Sequence, residues 1–518
     1  MAALPPQLTS VAALHAYLGV GAGEARFLSR YAHHRYRAVN IPKRRGGFRN
    51  LLVPEDRLKF LQRKMLELLE PRYKPRPAAH GFVVGRSAIT NANSHQARPY
   101  LLNLDLENYF GNITRNRVHG MLQAIGFAPE VARAICHICI VNNQLPQGAP
   151  TSPLLANMVS FRLDKDLTQF SKANRIRYTR YADDITFSSY VRPVALFSEP
   201  LQEAGALSVE GLSKELRLII SSNNFTINPV KTRYADRKSR KEVTGLIVNE
   251  FTNVRRTFIR DLRASLYKID KLGLSAAQTS YNEKYGSDAL LKDVLRGRLE
   301  WLAQVRSRSF YTYRTLAQRY NKHFPDNPAP IDPTNEEVAK SAIFVIEHFD
   351  GDGAQGTAFL LDGVGLVTAF HTLDGMVSEW ADLYRPHEPT KKFRAKVGGK
   401  FCKHRDIALL EHDIPAEDQA SLRPATGAEH VKSSIIALGY PEFASGDGLS
   451  ERTGKIVGRS TKSAVRYVEV DAILGDGLSG GPIVNDRYEV IALTHKGGLL
   501  ESKQLGVDIV EITKVAEA

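Results

Sequence analysis

At 518 residues, 43% hydrophobic and 24% charged, the chain is too long for one ordinary core and has no apolar run able to span a bilayer. That excludes a membrane protein and calls for two or more domains. The net charge of +15 divides by sign: about 50 Lys and Arg face about 25 Asp and Glu in residues 1–325, against about 20 and about 30 beyond, so only the first part suits a polyanion.

The first twenty residues lack the basic start and small-residue cleavage site of a secretory leader, which points to the cytoplasm. IPKRRGGFRNLLVP, residues 41–54, brings Lys43, Arg45 and Arg49 together as cations able to neutralise a triphosphate. YLLNLDLENYF, from residue 100, predicts a strand with Asp105 at its end. Cys136 and Cys139 form a C-x-x-C with no second pair, so they are expected as buried helix thiols rather than zinc ligands or a disulfide. RIRYTRYADDITFSS, from residue 175, predicts a hairpin with Asp183 and Asp184 at its turn. Three converging carboxylates suit nucleotidyl transfer, because two hard Mg²⁺ ions prefer carboxylate oxygen and bridge the attacking hydroxyl, the α-phosphate and the leaving pyrophosphate. Helical segments such as LLKDVLRGRLEWLAQVRS follow, until PDNPAPIDPTNEE breaks the pattern with prolines. Beyond it, GTAFLL, GVGLVTAF, DIALLEH, SSIIALGY, YVEVDA and EVIALTH alternate with glycine-rich turns, an all-β pattern.

YADD, with five further segments in the right order, resembles the palm signature of the reverse transcriptases. Those segments are IPKRRGGFRNLLVP, HGFVVGRS, LDLENYF, LPQGAPTSPLLANMV and INPVKTRY. The resemblance makes Arg49 the best placed of the three cations for the dNTP triphosphate, and puts Phe110 under the sugar, where it rejects a 2′-hydroxyl. It also implies that Gln147 and Gly148 let the backbone approach the incoming base, and that Lys231 pairs with or protonates pyrophosphate. Two more motifs narrow the likeness. NANSH, with Asn91 and His95, and the VTG triplet of Val243, Thr244 and Gly245 are similar to elements of the retron enzymes, and the basic flank with Arg255 and Arg256 supplies an RNA surface. The retron likeness, over nearly all of residues 10–320, implies a structured noncoding RNA as partner and DNA synthesis from the 2′-hydroxyl of an internal guanosine. It further implies a branched RNA–DNA product that stays bound, and a role in bacterial antiphage defence.

Downstream, VTAFHT, DIALLEH and GDGLSGGPIVN resemble the trypsin-like serine proteases in chain order, giving His371, Asp406 and Ser479, with Gly477 and Ser479 amides for an oxyanion hole. Leu478 replaces the aspartate that pairs with a newly cut N-terminus in digestive enzymes. Ile473 stands at the pocket base, so cleavage after Lys or Arg is not expected; His495 and Lys496 are expected on the pocket wall, favouring an acidic residue. The expected architecture is multidomain α+β: a right-hand reverse transcriptase, fingers and palm to about residue 235 and thumb about 236–322; a linker over 323–337; and an all-β trypsin-like double barrel over 338–518. Two alternatives stay open, an abortive-infection or CRISPR-associated reverse transcriptase and a C-terminal domain that binds peptides without cutting them. Self-association into a homo-oligomer is open too.

Overall fold

The computed structural model describes residues 9–42, 47–198, 203–350, 353–388, 390–496 and 503–518. It divides into two units, Met1–Arg306 and Ser307–Ala518. In the first, strands β1 (Tyr36–Pro42) and β2 (Phe48–Pro54) form a hairpin. The central sheet contains β3 (Tyr100–Asp105), β4 (Arg177–Tyr181), β5 (Asp184–Ser189), β6 (Gly205–Ala206) and β7 (Arg233–Ala235), in the order β4-β5-β3-β7-β6, antiparallel throughout. Strand side chains alternate between faces. One face therefore carries Leu102, Leu104, Ile185 and Phe187 into the core, and the other carries Asn103, Asp105, Asp184 and Thr186. A two-residue turn joins β8 (Glu242–Val243) to β9 (Leu246–Ile247). Two helical stretches follow, Arg256–Tyr285, broken at Gly273 (φ 80°), and Leu291–Arg306. Cys136 and Cys139 are buried free thiols on the helix Pro129–Cys139, and burial pushes both up to about 12.

The helix Tyr311–His323, expected in the thumb, belongs instead to the second unit. Tyr313 Oη donates to Pro330 O at 2.5 Å, the Asn321 amide bonds both backbone groups of Ala329, and Arg314 pairs with Glu337 at 2.7 Å. The expected linker is thus tied down, and its end starts the helix Asn335–Ala342, capped by Thr334 and Glu337.

Beyond it lies a closed six-stranded barrel made of β10 (Ile343–His348), β11 (Ala354–Leu361), β12 (Gly365–Thr368), β13 (Ala381–Tyr384), β14 (Lys392–Cys402) and β15 (Ile407–His412). The second sheet contains β16 (Arg423–Pro424), β17 (Ser434–Gly439), β18 (Ser450–Lys462), β19 (Val465–Val470), β20 (Pro482–Val484), β21 (Glu489–Lys496) and β22 (Gln504–Asp508). Its order is β16-β21-β20-β17-β18-β19-β22, and a further β21–β22 pairing closes six of its strands into a second barrel. Phe344, Leu360 and Leu383 pack inside the first barrel, and Ile435, Val468 and Ile483 inside the second. No helix among the described residues is long and apolar enough to cross a membrane.

Candidate active sites

The last residue of β3, Asp105, pairs in register with the first of β5, Asp184, so both carboxylates stand at one end of the open face of the sheet. Asp183 lies in the turn between β4 and β5, and its carbonyl accepts from Leu106 N at 3.0 Å. That turn is tight. Ala182 takes φ 57°, costly for a residue with a Cβ, and Arg180 Nη1 holds its carbonyl at 3.0 Å. Gly81, from HGFVVGRS, backs directly onto it: a Cβ there would lie 2.4 Å from Ala182 N.

Asp105 is 4% exposed, and its carboxylate accepts from Asn228 Nδ2 at 3.0 Å and Lys231 Nζ at 2.7 Å. Lys231 is therefore a counter-charge to Asp105. Asp184 is open to solvent on one side, yet protein around it pushes its pKa up to about 7, with Asp183 and Asp105 adding repulsion and Lys231 offsetting part. Three carboxylates that repel one another, with oxygen as their donor atom, fit hard divalent cations, which Asp105, Asp183 and Asp184 would hold. A cavity of about 650 Å³ opens here, lined by Asn103, Asp105, Asp184, Lys231, Thr244 and Arg255.

Phe110 is half-buried, its ring 5.3 Å from Tyr109 and 6.2 Å from Phe82. Gln147 O accepts from Leu52 N at 2.7 Å, and Gly148, at φ 117°, would place a Cβ 3.1 Å from Leu52 O, so LPQG is fastened to β2. Lys43 and Arg45 lie outside the described residues, as do the side chains of Arg49 and Lys496. The expected RNA contacts need correction. Asn91 and His95 are 0% exposed and Val243 is 1% exposed, so none can reach a nucleic acid. The His95 ring instead bonds Ser188 Oγ at 2.6 Å and Thr179 Oγ1 at 2.7 Å. Thr244 is half-buried, Gly245 and Arg256 are exposed, and Arg255 pairs with Glu242.

In the second unit, His371 sits in a 3-10 turn after β12, and Asp406 immediately precedes β15. Asp406 Oδ1 accepts from His371 N at 2.8 Å and Oδ2 lies 2.7 Å from His371 Nδ1, which fixes the ring with Nε2 outward. Ser479 lies in the turn before β20. Gly356 brings the two segments together, because its Cβ would lie 2.6 Å from Thr372 Cγ2 and 3.2 Å from Ser479 O. Gly480 does the same, with a Cβ position 2.8 Å from Ala369 N. The amides of Leu478, Gly480 and Gly481 all donate within the protein, whereas those of Gly477 and Ser479 have no acceptor among the described residues. Gly477 needs its φ of 83°, and Thr357 Oγ1 fixes its carbonyl at 2.8 Å. Two N–H groups are thereby left for an oxyanion.

The His495 expectation is also corrected. Its Nδ1 lies 2.6 Å from Asp406 Oδ2, so the ring joins the His–Asp pair instead of forming a pocket wall. These three groups have ligand-like spacing, within 4.8 Å, and the two hydrogen bonds to one carboxylate account for it. Ile473 is half-exposed, with its carbonyl accepting from Arg452 at 2.8 Å, and Leu478 is fully buried, as an apolar replacement for an aspartate must be.

The reverse transcriptase (RNA-dependent DNA polymerase) family model matches residues 41–248, and the trypsin-like peptidase domain model matches residues 356–493. The Mx162 retron reverse transcriptase of Myxococcus xanthus is 33% identical over 58% of this chain and 67% of its own length. The chain belongs to the retron reverse transcriptases. The Mx65 enzyme of the same organism is 36% identical over 49% of this chain and 61% of its own length, and the Ec86 enzyme of Escherichia coli 28% identical over 58% and 87%. Among solved structures, the HtrA-type protease AlgW is 16% identical over 36% of this chain and 63% of its own, with a TM-score of 0.30. The Rv3671c protease of M. tuberculosis is 17% identical over 36% and 89%, also at 0.30. This retron enzyme is thus an RNA-directed DNA polymerase that carries a trypsin-like serine peptidase domain and uses divalent metal.

Sequence reasoning missed the support beneath the retron polymerase site. Arg180 is 0% exposed and grips Asp164 through Nε and Nη2 at 2.8 and 2.7 Å, with Tyr109 Oη at 3.0 Å and Asn157 Oδ1 at 3.1 Å as further partners. One cation therefore links the YADD turn to the neighbour of Phe110. The only signal was an arginine on the apolar face of a predicted strand.

Proposed function

We propose that this chain is a retron polymerase which copies a cognate structured noncoding RNA into DNA from a 2′-hydroxyl, retains the branched RNA–DNA hybrid, and controls its own serine protease through it, in the bacterial cytoplasm. The observation that carries the polymerase reading is the register of Asp105 opposite Asp184 beside the Asp183 turn. Asp105, Asp183 and Asp184 would hold Mg²⁺, which would supply charge neutralisation at the triphosphate and a lowered pKa for the attacking hydroxyl. Lys231 pairs with Asp105, Phe110 closes the space beneath the sugar, and Arg180 holds the turn in place.

For the protease, His371 Nε2 takes the Ser479 proton, Asp406 stabilises the resulting imidazolium, and the Gly477 and Ser479 amides receive the oxyanion. Asp406 raises His371 above its ordinary value. The charge split supports the division of labour, since the basic part suits a phosphate backbone and the acidic remainder does not. A peptidase joined to a polymerase needs restraint. A retained hybrid bound differently in two states supplies it, and phage damage to that hybrid lifts it.

The deciding experiment sequences the nucleic acid that copurifies with the full chain and measures Ser479 labelling by a fluorophosphonate before and after nuclease. A branched, covalently joined hybrid and faster labelling after nuclease are expected. Linear or absent nucleic acid refutes the retron product, and an unchanged labelling rate refutes nucleic-acid control. Ser479→Ala that keeps the cellular effect reassigns the domain to peptide binding.

A further inference from the structure

NANSH and VTG lie about 150 residues apart in sequence, yet Thr244 Oγ1 donates to Ala88 O at 2.9 Å, at the first turn of the helix Ala88–Asn93, which ends on the first three residues of NANSH. The far end of that segment is fastened to the same stretch of chain: Ala97 N donates to Val248 O at 3.1 Å and Gln96 Nε2 to Thr252 Oγ1 at 2.9 Å. Between these ends the segment reaches the catalytic hairpin. His95 bonds Thr179 on β4 and Ser188 on β5, all three nearly or fully buried, and His80 Nδ1 bonds Thr90 Oγ1 at 2.9 Å while its own N–H donates to Arg180 O. By strand alternation Thr179 and Ser188 share a sheet face with Asp184, two residues apart along β5 from Thr186 and so four from Asp184.

The turn itself carries a second sign. Thr244 adopts φ 46° and Gly245 φ 84°, the positive pair of a tight hairpin turn, which glycine or asparagine fills without strain and a β-branched residue does not. Such strain persists only where the surroundings impose it. Here the threonine hydroxyl is the bond to Ala88, and asparagine or glycine would forfeit it. His95, kept neutral by burial, has one nitrogen to donate and one to accept, which two hydroxyls can satisfy together.

We infer that the segment from Ala88 to His95, which carries NANSH, and the VTG turn form one brace, clamped by Thr244–Ala88 and by His95 between β4 and β5, and that its task is to position the Asp183–Asp184 hairpin rather than to touch RNA. His95 and Thr244 are positioning residues. The inference rests on the polymerase reading of Asp183 and Asp184, and the Asp183→Asn variant tests that reading separately.

The full chain is assayed on poly(rA)·oligo(dT) with dTTP and Mg²⁺. His95→Ala lowers kcat about tenfold or more and Thr244→Val about fivefold, with KM for dTTP and duplex Kd each unchanged within about twofold. Half-activating Mg²⁺ rises about threefold or more, a change that a mere loss of folded fraction does not produce. His95→Gln, which keeps a donor and an acceptor, recovers most of the rate. Amide exchange quickens in residues 177–189 in His95→Ala, without any nucleotide present. Should His95→Ala fail to fold, Ser188→Ala serves, since that buried hydroxyl cannot reach RNA and its loss removes one clamp; kcat is then expected to fall about threefold or more. Full kcat in His95→Ala or Ser188→Ala, or a tenfold weaker duplex Kd at unchanged kcat, overturns the brace. If Asp183→Asn polymerises normally, the polymerase assignment falls instead.

Discussion

Asp184, open to solvent on one side, and Asp406, nearly buried, both sit where chemistry is placed, yet their charges are controlled in opposite directions. Burial is the largest influence on each and favours the neutral acid. At Asp184 the neighbours are Asp183 and Asp105, so repulsion adds to burial and the pKa climbs to about 7. At Asp406 the neighbours are two histidine donors, which override burial and hold the pKa at about 2. One carboxylate is built to wait for a cation, the other to stay ionised without one. The partners, not the depth, decide the charge.

The widest separation between the two comes from removing each charge. Asp406→Asn is expected to slow fluorophosphonate labelling of Ser479 about 10⁴-fold, with nucleotide addition unchanged, because His371 loses the acceptor that sets its tautomer. Asp184→Asn is expected to cost roughly 10³-fold in nucleotide addition and leave labelling intact. A cross-effect of either variant on the other activity breaks the comparison.

Arg180→Met comes next. It takes the guanidinium partner from a fully buried Asp164, and a loss of about 3–5 kcal/mol is expected in the urea transition of the first unit, with the barrels unaffected. A third pair of measurements follows the pH. Since the Asp184 pKa is raised in the folded protein, its contribution is favourable below about pH 4 and is lost as the pH climbs through about 7. Asp184→Asn should therefore stabilise the chain at pH 8 without divalent ions, by about 1 kcal/mol since solvent screens the group, and the gain should vanish toward pH 4. Asp406 has the opposite sign: its contribution of about 2 kcal/mol is present above about pH 4 and lost as the pH falls toward about 2. Equal pH dependence for both would contradict the partner argument.

The smallest effect sharpens the second site. His371 is raised above its ordinary value mainly by its hydrogen bond to Asp406, so labelling rises with pH along a limb above about 6.5. His495→Ala removes one donor from Asp406 and makes it a stronger partner for His371. The limb is expected to move to higher pH; no movement means that His495 contributes nothing to the pair.

Spacing and residue type sufficed for much of the molecule. Asp105, Asp183 and Asp184 were legible because a short strand and a tight hairpin leave few places for their ends. His371, Asp406 and Ser479 were legible because each occupies a short local pattern, and the apolar barrel strands because they are nearly continuous β-formers. β18, with its polar sequence SERTGKIVGRSTK, was invisible, since its partners rather than its own side chains make it a strand. The helix Tyr311–His323 has a helix's periodicity, but it belongs to the second unit, where it makes contacts with residues 329–337.

Chain order alone determined which chemical groups this protein owns and roughly where its two modules change over. Tertiary structure decided what those groups face: His95 turned inward to the hairpin, His495 turned to Asp406, and Arg180 buried on Asp164. The physical reason is range. Propensity and patterning act over a few residues, whereas hydrogen bonds and charge pairing act between groups brought together across dozens or hundreds of residues, and those partners fix both orientation and ionisation.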